Sequence, residues 1–94
     1  MKSPGVSRGE AEIIALKVLS FLADDPARLS RFLALSGVDL NDLRDAAQSP
    51  DFLAGLLNHL LEDESLLLTF CAEHQLDPYV PARAFRALIP TMEE

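Results

Sequence analysis

The stretch Phe21-Leu-Ala-Asp-Asp-Pro-Ala-Arg-Leu-Ser-Arg-Phe-Leu-Ala-Leu-Ser-Gly37 decides the fold class. An apolar run ends at Asp24, and Asp25-Pro26 restarts the chain as a helix. Asp caps free amides, and proline at the first helical position loses no needed donor. Leu29, Phe32 and Leu33 then recur at helical spacing until Gly37, whose type suits a left-handed terminal residue. Helix, cap, short helix, glycine stop: that punctuation belongs to a bundle of short helices.

The same grammar runs outward in both directions. Ser7 with Glu10 three residues on is a capping-box spacing, so helix one is expected over Arg8 to Ala23. Its apolar residues cover most of the circumference, which marks a central helix. Helix two spans Pro26 to Ser36. Asp39 caps an expected helix three, Leu40 to Gln48. Ser49-Pro50 opens helix four, which runs to about Glu62, and Asp63 caps helix five, Glu64 to Gln75. Asp77-Pro78 opens helix six, ending near Ile89, with Pro81 in its first turn. The expectation is an all-α compact bundle of five or six short helices. Residues 7–90 form one domain, with tails at 1–6 and 91–94.

Composition agrees and excludes several alternatives. Of 94 residues, 18 are Leu and 12 Ala, against nine Val, Ile and Thr together, which argues against a β-sandwich or barrel. An apolar share of 49% is too high for a disordered chain. The formal net charge of −7 disfavours nucleic acid, which needs Lys and Arg to displace counterions. No run approaches the roughly 20 apolar residues of a membrane span, so no membrane partner is expected. A signal peptide is a poor reading of the start, because Glu10, Glu12 and Lys17 interrupt the apolar region. A single cysteine, Cys71, excludes an internal disulfide and suits a reducing, cytoplasmic setting.

An internal echo occurs at an offset of 38 residues. Leu19, Leu22, Asp25, Leu29, Phe32, Ala34, Asp39 and Ala46 match Leu57, Leu60, Asp63, Leu67, Phe70, Ala72, Asp77 and Ala84. The helix caps coincide, but Leu40 and Leu43 face Pro78 and Pro81, so the third helix fits worst. Two readings stay open: generic helix punctuation in a Leu-rich chain, or two related three-helix units.

No constellation specifies a reaction. Pro26 to Gln48 has the outline of a helix-turn-helix around Gly37, yet its second helix offers Asp39, Asp42 and Asp45 against a lone Arg44. His59, Cys71 and His74, with the carboxylates Glu62 to Glu64, are the candidates for a metal site or a small enzyme. A zinc site needs three or four converging ligands, whereas Cys71-x-x-His74 is one pair. The Asp24-Asp25 and Glu62-Asp63-Glu64 clusters lie at helix starts, where amide dipoles favour negative charge. No metal or cofactor is therefore expected. What remains is an excess of apolar side chains. Helix five is apolar on more than one face, and a partner surface is expected at Leu66, Leu68, Tyr79 and Leu88. It would receive a partner protein or a second copy of the chain.

The chain also resembles a family of short proteobacterial proteins designated domain of unknown function 3572. The resemblance rests on Phe21 to Gly37, Leu43-Arg44, Phe52-Leu53, the Leu60-Leu-Glu-Asp-Glu64 junction, and Pro78 with Ala82-Arg83. These are caps and core positions. The resemblance implies a bacterial, cytoplasmic protein and carries over no catalytic residue. The function expected from the sequence is a non-catalytic interaction or regulatory module.

Overall fold

The computed structural model describes residues 6–89. The chain forms α1 (Arg8–Ala23), α2 (Pro26–Ser36), a 3-10 turn (Leu40–Asp42), α3 (Leu43–Ala46), α4 (Pro50–Leu61), α5 (Glu64–His74) and α6 (Val80–Leu88). There is no strand among the described residues, so the all-α bundle stands. The expected tails lie outside the described residues, apart from Val6, which packs against the core.

The core is built on the α1–α4 pair. α6 lies against both, α2 packs on α1, and α5 packs on α4. α1 is central as its composition requires: Ala11, Ile14, Ala15, Val18, Phe21 and Leu22 are buried. Leu56, Leu57 and Leu60 of α4 are wholly enclosed. Each such side chain contributes about 1.5–3 kcal/mol through its removal from water. No polar or charged side chain is buried among the described residues, so the interior carries no unpaired polar group.

The caps form as their residue types dictate. Ser7 Oγ accepts from the Glu10 amide at 3.1 Å, and Glu10 Oε1 accepts from the Ser7 amide at 3.0 Å. Asp25 Oδ1 accepts from Ala27 N–H and Asp63 Oδ1 from Leu66 N–H. Gly37 takes φ +77° at the end of α2.

Two helices differ from expectation. The third is a 3-10 turn followed by four helical residues. Asp39 Oδ1 accepts from the Asn41 amide at 3.2 Å. Asp42 then sits at φ −98°, ψ 3°, outside helical geometry, and breaks the run. The sixth helix starts at Val80 because Asp77 and Pro78 make a turn instead. Asp77 Oδ1 accepts from Tyr79 N–H and its carbonyl from Val80 N–H, both at 2.9 Å.

The 38-residue echo has a structural counterpart. α2 and α5 are each 11 residues long and superpose in number without a gap. Their caps have nearly the same dihedrals: φ −128°, ψ 107° at Asp25 and φ −130°, ψ 102° at Asp63. Both helices end in a left-handed residue, Gly37 and its mate Gln75. The Asp39 and Asp77 turns also coincide. The units diverge at the third helix. α6 packs across α1 and α4, whereas α3 buries no side chain. The expectation of two three-helix units is thereby reduced to a matched helix pair with an unequal third member.

Candidate partner groove

The aromatic residues show how the two matched pairs meet. Phe21 of α1 meets Phe70 of α5 edge to face, ring centroids 5.4 Å apart at 71°. Phe32 of α2 meets His59 of α4 at 5.1 Å and 70°. Phe21 is the mate of His59, and Phe70 is the mate of Phe32. The second contact is therefore the first with the units exchanged, as an approximate two-fold relation requires.

The flanks of these two contacts differ. On Phe70, the His74 ring packs at 4.5 Å with a tilt of 35°. On Phe32, Phe52 packs at 5.7 Å, and beside it a hollow of about 560 Å³ opens to solvent. Phe32, Leu35, Val38 and Phe52 supply its apolar lining. Asp51, Asn58, His59 and Glu62 supply polar groups, and Gly55 leaves it unobstructed. Asn58 Nδ2 donates to Glu62 Oε2 at 3.2 Å, which ties two of these together. Leu35, at 69% exposure, stands among the most solvent-exposed apolar residues.

A second hollow of about 540 Å³ adjoins the first and shares Leu35, His59 and Glu62 with it. Arg28, Arg31, Asp63 and Glu64 give it mixed charge. Arg28 is partly committed elsewhere, since it lies 4.6 Å over the Phe21 ring and 3.6 Å from Asp25. Together the two hollows make a groove that follows α2, with α4 and then the start of α5 on its other side. His59 sits at their junction. Burial, with Arg31 nearby, holds its imidazole below the usual 6.5 against the opposing influence of Asp63 and Glu62. The shift favours the uncharged ring at the groove.

The reactive candidates do not assemble. Cys71 is buried at 3% exposure, and its thiol donates to the Asp77 carbonyl at 4.0 Å. Burial pushes that thiol up from its ordinary 9.0, and Asp77 adds to the effect. A thiol so placed is a poor nucleophile. His74 lies tilted over Phe70, and His59 meets Phe32 edge to face. Among the described residues, no three His, Cys, Asp or Glu side chains are placed to hold a metal ion; His59 shares a hollow with Glu62 to Glu64, which Cys71 and His74 do not line. The helix-turn-helix outline loses its second helix to the 3-10 turn and the four residues of α3.

The surface expected from the sequence is only partly exposed. Leu68 and Tyr79 are open to solvent, at 47% and 69%. Leu66 is half-buried against the core. Leu88 is 2% exposed and must be struck from that surface, because α6 turns it into the α1–α4 seam. The groove residues Phe32, Leu35, Val38 and Phe52 were not anticipated. The signal for them lay in the echo, where Ser36 and Gly55 stand opposite the bulkier His74 and Lys17.

Fold and groove define a small all-α bundle with an apolar hollow edged by carboxylates. The chain belongs to the family described as Protein of unknown function (DUF3572), whose model matches residues 8–91. No curated protein and no solved structure matches it. No described helix is long and apolar enough to cross a membrane.

Proposed function

We propose that the protein is a non-catalytic interaction module of the bacterial cytoplasm, and that it takes its partner in the α2–α4 groove. The observation that carries this reading is the open hollow beside Phe32, with exposed Leu35 next to it. Apolar surface gathered in a concavity and edged by polar groups is the usual form of a protein-binding site. Carboxylates at the edge repel phosphate, which disfavours nucleic acid as the occupant. A buried, unpaired thiol suits a reducing compartment. The partner is a foreign protein or a second copy of the chain.

Photo-crosslinking in cells tests this. A crosslinking side chain at position 35 is expected to give a discrete adduct, and the same group at exposed Ser30 none. Failure of both positions to crosslink, together with a monomeric mass in sedimentation, would overturn the reading.

A further inference from the structure

We infer that the hollow beside Phe32 receives an aromatic side chain from a basic amphipathic helix of a partner protein. This rests on the interaction reading above and adds the partner's chemistry.

The approximate two-fold relation supplies the shape. In the second half, the face of Phe70 is occupied by the His74 ring. Its mate in the first half is Ser36, whose hydroxyl turns back on its own backbone. It donates to the Leu33 carbonyl and accepts from the Val38 amide, each at 3.3 Å. No ring from residue 36 can cover Phe32. Gly55 also lines the hollow, and a Cβ built there meets nothing within 4 Å. Phe32 itself is 3% exposed beneath Phe52 and His59, and the hollow opens beside this cluster, where residue 36 contributes a hydroxyl instead of a ring. An aromatic group seated there meets the half-buried rings of Phe52 and His59, a contact worth about 0.5–1.5 kcal/mol beyond its burial.

Charge supplies the sign. The residues around this hollow include Asp51 and Glu62 and neither Lys nor Arg. The adjoining hollow sets Glu62, Asp63 and Glu64 against Arg28 and Arg31. The chain as a whole carries −7. Lys or Arg flanking the inserted ring meets this edge favourably, whereas a second acidic copy would bring carboxylate against carboxylate. The two hollows share Leu35, His59 and Glu62 along α2 and α4, which suits a helix laid lengthwise with successive side chains in each.

The chain contains no Trp, so fluorescence of a Trp-bearing peptide reports on the peptide alone. The probe is a synthetic Lys-rich amphipathic helix with one Trp on its apolar face. Its controls are the same peptide with Ala for Trp and one with Glu for Lys. Full-length protein is expected to bind the first, blue-shift its emission, and bind either control about tenfold more weakly. Ser36→His, which builds into the hollow the ring its mate already carries, is expected to weaken binding about tenfold with unchanged helical circular dichroism. Glu62→Gln, outside the core, is expected to weaken it and flatten its salt dependence. Equal binding by the Ser36→His protein, or by the Glu peptide, overturns the proposal. So does self-association in sedimentation that Ser36→His abolishes, since the occupant is then a second copy. Absence of peptide binding with the crosslink from position 35 intact overturns the partner chemistry and leaves the interaction reading standing. Loss of both overturns both.

Discussion

Phe21 and Phe70 meet edge to face at 5.4 Å across the two halves of the chain, and His59 and Phe32 repeat that contact with the halves exchanged. The first pair is sealed, with Phe21 and Phe70 at 2% and 0% exposure. In the second, Phe32 is as enclosed, at 3%, and His59 borders the groove. Phe21→Ala is expected to destabilise the fold by about 3–5 kcal/mol, the usual range for a buried ring lost to a cavity. Urea unfolding checks it. A loss below about 1 kcal/mol would mean that the contact does not join the two halves.

His59 makes stability depend on pH in a defined direction. Its folded-state pKa lies below 6.5, chiefly through burial and then Arg31, with Asp63 and Glu62 opposing. As pH falls below 6.5, the unfolded chain takes up the proton first, so the stability present above 6.5 declines until the folded imidazole also protonates. His59→Phe, which installs the side chain of its mate Phe21, removes this contribution. Denaturant midpoints at pH 7 and pH 5.5 should converge for the variant relative to the native chain. An unchanged difference would place His59 in a more solvated setting.

The matched caps predict matched costs. Asp25→Ala and Asp63→Ala should each destabilise by about 1 kcal/mol, because each side chain satisfies one otherwise free amide at a helix start. The Arg28–Asp25 contact at 3.6 Å is exposed and adds little. Thermal unfolding of the two variants is the check. A clear inequality would show that the two helix entries are not energetically equivalent.

Two glycines should respond in opposite senses. Gly55→Ala sits in a helix with open space around the added methyl, so it should stabilise by about 0.5–1 kcal/mol. Gly37→Ala places a Cβ at φ +77° and should destabilise by about 1 kcal/mol or more. Denaturant unfolding reads both. The Gly55→Ala side chain also intrudes slightly on the hollow, so a modest loss of peptide binding should accompany its stability.

Much of this architecture was legible in the residues. The bounds of α1 and α2 follow from Ser7, Asp25-Pro26 and Gly37, because caps and stops are local chemistry. α3 and the start of α6 depart from expectation because Asp39 and Asp77 can each cap a helix or close a tight turn. Asp25 makes the same bond two residues on and caps a helix, so the residues that follow decide: Asp42 leaves helical geometry, and Pro78 and Tyr79 stay in a turn. Leu88 is expected on the surface because periodicity gives a face without saying what covers it; α1 and α4 cover this one. The groove was illegible for the same reason. Only the tertiary pairing of Phe32 with His59 turns Ser36 and Gly55 from ordinary small residues into a missing wall.

The central claim is that the hollow beside Phe32 is where a partner seats. The direct measurement is the yield of the crosslinked adduct from position 35 in the native chain and in Ser36→His, at equal expression and equal helicity. A strong adduct that falls sharply when the hollow is filled is the result predicted. An adduct of equal yield in both chains, or one obtained from Leu68 or Tyr79 and absent from position 35, would contradict it.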